Sequence, residues 1–298
     1  MSRFLPSGFR VAGVHCGVKG NPANNDLTLI VADRPCVAAG VYTQNRVFAA
    51  PVAVDRARTP SSHIRAVVAN SGNANACTGE RGMRDALAMA RHAAAVCQAS
   101  EDQALVLSTG IIGEPLPMDV IRTGIPQTAA RLGPGEQEFM AAARGIMTTD
   151  TKPKEASIEL TVAGVTCTVG GMAKGAGMIA PNMATMLAFF TTDAGIVPTL
   201  LRRALVAAVG ESLNRITVDG DTSTNDCAVV LASGAAGAPA IESEGPDYEA
   251  FQAALTTVAR RLAEMLVGDG EGVTRVAEVR VEGAGSGDEA DRVARVVA

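Results

Sequence analysis

The stretch SIELTVAGVTCTVGG at 157–171 constrains the architecture of this chain more than any other. Ile158, Leu160 and Val162 alternate with Glu159 and Thr161, the period-two pattern of a strand with one covered face. Gly164 falls where the pattern breaks, and a second β-branched run follows, so the two runs read as an antiparallel hairpin. Other short apolar runs read as strands: LTLIVAD (27–33), RAVVAN (65–70), ALVLST (104–109), TMLAFFTT (185–192), CAVVLAS (227–233) and RVAEVRVEG (275–283). Between them lie helical stripes. Met83, Leu87, Ala90, Ala94 and Cys97 step by four and three, as do Phe251, Leu255, Val258, Leu262 and Met265. Further helices are expected over 200–213 and across 118–146. Each stripe lasts only about two heptads, which suits helices covering a sheet rather than coiled coils. Hairpin pieces interrupt a strict strand–helix alternation, so the expected class is an α/β layered fold with mixed sheets.

Composition removes several functions. A net charge of −5, no Trp and only two Tyr argue against a polyanion partner and a base-stacking surface. No apolar run reaches the length of a membrane helix. The opening residues MSRFLPSGFRVAGVHC lack the apolar core of a signal peptide, and the six cysteines form no C-x-x-C pair. A cytoplasmic location with reduced thiols is therefore expected. The three histidines, His15, His63 and His92, are widely separated, and no G-x-S-x-G, H-E-x-x-H or G-x-x-x-x-G-K-[ST] pattern occurs. Neither a histidine-based triad nor a metal site is expected.

The segment AKGAGMIAPNMATMLAFF, 173–190, holds the sharpest question. Gly175, Gly177 and Ala180 fit the spacing of a dinucleotide-binding turn, but that turn must open a helix. Pro181 pushes Ala180 away from helical backbone, and the following run is strand-like. A plain structural loop is one reading. The other makes Thr185 a nucleophile. A lone hydroxyl is weak without a neighbouring base. Cleavage of the Ala184–Thr185 bond would give Thr185 a free α-amine with a pKa of roughly 7.7–8.0, suited to take its own hydroxyl proton.

Other residues suit acyl transfer. Thr109 and Gly110 end the run ALVLST and can be read as an oxyanion hole or as a simple glycine turn. Lys174 offers a cation to a substrate carboxylate. The runs NSGNANACTG (70–79) and DGDTSTND (219–226) read as turns, or together as the lining of a polar pocket.

With these residues in view, the chain resembles the ornithine acetyltransferase family of arginine biosynthesis, also called bifunctional glutamate N-acetyltransferase. The resemblance runs through GFRVAGVHCGVK, DRPCVAAGVYTQNRVFAAPV, NSGNANACTG, STGIIGEPLPMD, IMTTDTKPKEA, GGMAKGAGMIAPNMATMLAFFTTDA, NRITVDGDTSTND and VGDGEG. It implies an αββα sandwich shared with self-processing aminopeptidases of the DmpA type. It implies self-cleavage between Ala184 and Thr185 into α (1–184) and β (185–298) chains that together form one composite fold and assemble as a heterotetramer. It implies a ping-pong cycle through acetyl-Thr185, moving the acetyl group of N2-acetylornithine to L-glutamate, with acetyl-CoA as an alternative donor and no cofactor. Thr109 and Gly110 fall on the family's oxyanion pair, and Thr148, Lys174, Thr185 and Glu271 on its substrate-binding positions. The expected family tail, acidic and containing Asn-Trp-Gly, is not found after VEGAGSGDEADRVARVVA, where a helix over 288–298 is expected. Two alternatives stand beside the transferase: an amidase or aminopeptidase of the same fold with water as acceptor, and an inactive truncated relative.

Overall fold

One strand belongs to both halves of the molecule. In the computed structural model, which describes residues 4–180 and 186–298, β2 runs Leu27–Tyr42. Its first part pairs antiparallel with β1 (Phe9–Val14), and its last part, on the same side, with β8 (Cys227–Ala232). Along its other side runs β3 (Ser61–Asn73), with register shifts between Val31 and Ala38. Such irregularities bend and twist a strand. β4 (Ala104–Ile111) lies parallel to β3. Beyond β8 come β7 (Leu187–Thr192), β6 (Val165–Lys174) and β5 (Lys154–Val162), giving the order β4-β3-β2-β8-β7-β6-β5 with β1 also on β2.

The apolar pattern of β2 shows how this sheet folds over. Leu27, Leu29 and Val31 belong to one outer core, Ile30, Ala32, Cys36 and Ala38 to a central core, and Val37, Ala39 and Val41 to the opposite outer core. The central core joins Val11, Ile30, Val67 and Leu105 of one half to Met172, Leu187, Phe189 and Val229 of the other. The two halves of the sheet therefore stack face to face. α2 (Gly79–Val96) and α3 (Met118–Ala129) cover the β1–β4 half, and α5 (Pro198–Gly210) and α6 (Pro246–Val267) cover the other. The layers run helix, sheet, sheet, helix, the expected αββα sandwich. α4 (Glu136–Gly145) inserts Phe139, Ala142 and Ala143 into the central core. α1 (Ala50–Arg58) begins with Pro51, pre-set for a first helical turn.

The expected hairpin is present: β5 and β6 pair from Lys154↔Ala173 to Val162↔Val165. Its two-residue turn has positive φ at both positions, Ala163 (48°) and Gly164 (81°), the turn that matches strand twist. Phe251, Leu255, Val258 and Leu262 of α6 are fully buried, each contributing about 1.5–3 kcal/mol. On α2, Ala90 and Ala94 of the expected stripe are buried and Met83, Leu87 and Cys97 pack partly buried against the same core, while Ala86, Met89 and Ala93 widen the buried face. The run at 275–283 is a correction: it forms no strand and is largely exposed. Alternating valines make a strand only where a neighbour takes their backbone groups, and no described strand lies beside them. A helix, α7 (Gly287–Val297), follows as expected.

Candidate active site

Strand pairing alone brings distant segments together. Lys174 ends β6 opposite Leu187, which opens β7 opposite Cys227, which opens β8 opposite Tyr42. In the other half, β3 and β4 end side by side at Asn70–Asn73 and Ser108–Ile111. Asn225, just before β8, joins the two halves by donating from Nδ2 to Ser108 O (2.8 Å) and Ala74 O (2.6 Å). Both polar runs singled out in the sequence thus meet at these strand ends.

Thr109 and Gly110 sit at this junction. The buried Lys174 Nζ donates to Thr109 Oγ1 at 3.1 Å. Gly110 has φ of 134°, and a Cβ there would stand 2.3 Å from Gly72 C, so only glycine lets β4 come this close to β3. Lys174 is fully buried, and burial lowers its pKa below the usual lysine range, with Asp150, Asp226 and Glu271 opposing that shift.

Asp150 organises the neighbouring positions. Its Oδ2 accepts the Thr148 N–H at 2.9 Å, and its Oδ1 accepts the Gly175 N–H at 2.7 Å. The same Oδ1 takes a hydrogen bond from Lys154 Nζ at 2.6 Å, and Lys154 also reaches Asp269 Oδ2 at 2.6 Å. Burial works to raise the Asp150 pKa, but Lys174 and Lys154 outweigh it and hold the carboxyl below the carboxylate range. Asp269 in turn accepts from Thr151 N (3.0 Å) and Thr151 Oγ1. Two residues later, Glu271 N donates to Ala176 O at 2.6 Å. The Glu271 carboxyl lies over Gly177, where an added Cβ would meet its Cδ at 2.7 Å. Thr148, Lys174 and Glu271 are therefore tied into one frame by Asp150, Lys154 and Asp269.

Ala184 and Thr185 lie outside the described residues. Their neighbour Met186 is held on both sides: its N–H donates to Asp226 Oδ1 at 2.8 Å, and its carbonyl accepts from Cys227 N at 3.1 Å. Asp226 is fully buried and its Oδ2 has no described partner. Burial pushes its pKa well above the carboxylate range, against the Met186 N–H and the Lys174 charge, which work to lower it. Asp219 accepts from Met178 N and Ile179 N (2.8 Å), fastening the glycine loop. Among the described residues that loop has no helical turn, and the next described element is strand β7. Asp150, Lys154, Asp226 and Asp269 were not singled out from the sequence. Asp226 lay within a flagged polar run, whereas nothing in the spacing of Lys154 and Asp269 pointed to their contact.

The family model for the ArgJ family matches residues 10–298. The chain belongs to the ArgJ family. Relatives named arginine biosynthesis bifunctional protein ArgJ include those of Symbiobacterium thermophilum, 53% identical over 98% of this chain and 72% of its own length, and Geobacter sulfurreducens, 52% identical over 98% of this chain and 73% of its own. Among solved structures, ArgJ from Bacillus halodurans is 43% identical with a TM-score of 0.57, covering 59% of this chain and 91% of the solved one. Ornithine acetyltransferase from Mycobacterium tuberculosis, solved with ornithine, is 38% identical with a TM-score of 0.54, covering 61% and 96%. The L-aminopeptidase D-Ala-esterase/amidase of Ochrobactrum anthropi, described as a variant of the Ntn hydrolase fold, shares only 12% identity, with a TM-score of 0.55 over 89% of this chain and 85% of its own. That likeness extends to the fold alone. ArgJ membership thus joins the αββα architecture to a site at the strand ends. Among the described residues no helix is long and apolar enough to cross a membrane.

Proposed function

We propose that this ArgJ chain transfers the acetyl group of N2-acetylornithine to L-glutamate through an acetyl-threonine intermediate on Thr185. The reading is carried by one observation: Thr109, Lys174, Thr148 and Glu271, scattered along the sequence, converge beside the clamped Met186 that follows Thr185.

The chain first splits at Ala184–Thr185, leaving residues 1–184 and 185–298 as α and β chains of one fold. The freed α-amine takes the proton of the Thr185 hydroxyl as its oxygen attacks the acetyl carbonyl. Thr109 Oγ1 and the Gly110 N–H receive the developing negative charge. Ornithine leaves with a proton, and the neutral amine of glutamate then attacks acetyl-Thr185 to release N-acetylglutamate. Lys174 complements a substrate carboxylate and Glu271 a substrate ammonium group, while Thr148 lines the same pocket. The residues themselves perform these steps without a cofactor. The bifunctional name of the relatives supports acetyl-CoA as a second donor, and the assembled form is read as a heterotetramer of α and β chains in the cytoplasm.

Incubation with N2-acetylornithine, with and without L-glutamate, tests the reading. Ornithine should accumulate beyond one equivalent per site only when glutamate is present. Equal turnover without glutamate would make the protein an amidase, and supplying acetyl-CoA in place of acetylornithine tests the second donor.

A further inference from the structure

Two cations face the proposed pocket without a carboxylate partner at ion-pair distance among the described residues. One is Lys174. The other is Lys19, in the loop between β1 and β2, the last residue of the stretch GFRVAGVHCGVK and one to which the sequence reading assigns no role. Lys19 Nζ donates to Asn25 O and to Met147 O, each at 2.7 Å, placing it beside Thr148. Its stem lies on Gly72, where an added Cβ would stand 3.1 Å from Lys19 Cγ, and Gly72 is the residue against which Gly110 packs. The side chain thus runs from Gly72, at the Gly110 strand end, to Met147, where its ammonium group lies beside the Thr148 position. The two carboxylates whose charge it feels most are otherwise engaged. Asp26 accepts from Cys16 N, Gly17 N and Lys19 N. Asp150 is taken by Thr148 N, Gly175 N and Lys154. A half-buried ammonium held by two carbonyls, with both nearby carboxylates already engaged and none at ion-pair distance among the described residues, has the capacity to take a bound anion.

Charge counting identifies that anion, given the acetyl-transfer reading on which this step rests. N2-acetylornithine brings one carboxylate and one side-chain ammonium, which Lys174 and Glu271 match. Glutamate brings two carboxylates, and its amine must be neutral to attack. The acceptor therefore needs one cation more than the donor does. We propose that Lys19 binds the side-chain carboxylate of the acceptor glutamate and so selects the acceptor rather than the donor. Glu271 is exposed, so solvent screens its repulsion of that second carboxylate.

Steady-state kinetics on the full-length protein, varying each substrate separately, tests this. A Lys19→Met variant should raise the KM for glutamate about ten- to a hundredfold, the loss expected for a charge-assisted hydrogen bond, while the KM for N2-acetylornithine moves far less. Lys19→Arg should recover much of the glutamate affinity. With wild-type protein, L-glutamine should be a poor acceptor, and its KM should be insensitive to Lys19→Met. A purely structural role for Lys19 would shift both KM values and the melting temperature together, and that result overturns the proposal. So does wild-type protein that uses glutamine as readily as glutamate, a measurement that needs no variant to fold. Ornithine release independent of any acceptor in the wild type would instead remove the transferase reading beneath it.

Discussion

Lys174 Nζ donates to Thr109 Oγ1 across 3.1 Å, joining the end of β6 to the end of β4. The contact couples the proposed carboxylate-binding cation to the proposed oxyanion donor. Thr109→Val keeps the side-chain volume and removes the hydroxyl. Loss of one such donor costs about 10²–10³ in kcat, so turnover should fall by that factor. An unchanged kcat would remove Thr109 from the acyl site.

Thr185→Ala removes the hydroxyl that attacks the preceding carbonyl in the proposed self-cleavage. The variant should run as one band on a denaturing gel, whereas the wild type should give two, with Thr185 at the new N-terminus by mass spectrometry. Splitting of the variant at the same bond would sink the self-cleavage mechanism.

Lys154 is wholly buried between Asp150 and Asp269. Lys154→Met would leave two buried carboxylates without their shared cation. Breaking a buried pair in this way costs about 3–5 kcal/mol, measurable by denaturant unfolding. A loss below 1 kcal/mol would show that water replaces the ammonium group.

Asp55 on α1 is fully buried, accepts the Val106 N–H at 2.8 Å, and has no partner for Oδ2 among the described residues. Burial raises its pKa well above the carboxylate range. The folded state therefore holds this proton to higher pH than the unfolded state does. The associated stability is fully present below the unfolded carboxylate pKa of about 3.9 and is lost as pH rises through the folded value. Asp55→Asn keeps an acceptor for Val106 but has no such proton to lose. Its stability relative to wild type should rise steadily with pH from about 4 upward. A pH-independent difference would mean that Asp55 is not neutral in the folded state.

The sequence disclosed the parts of this fold whose order is local. The hairpin around Gly164 and the apolar face of α6 follow from spacing alone. β1, the second part of β2 and α1 escaped notice, though Pro51 marks the start of α1. The passage of β2 from one half of the sheet to the other depends on which strands lie beside it, and no periodicity within β2 encodes that. The site divides in the same way. Thr109, Gly110 and Lys174 are legible from residue type and position, Thr148 and Glu271 only through the family resemblance, and the structure brings the five into one region; Thr185 and Ala184 fall outside the described residues. Lys154 and Asp269 meet only because β5 and the end of α6 pack together. Val276 and its neighbours alternate as a strand would, yet remain exposed because a strand also requires a partner.

The arrangement of β7 has a physical consequence for a chain broken at 184–185. β7 is hydrogen-bonded to β6, from the segment before the break, over six residue pairs, and β8 is bonded to β2 over six more. Both seams run through the interior of the sheet, and the central core draws side chains from each segment. Pulling the fragments apart would therefore mean unfolding the molecule. A break at that bond would give a new chain end without releasing a subunit, a chemical change that the fold itself would absorb.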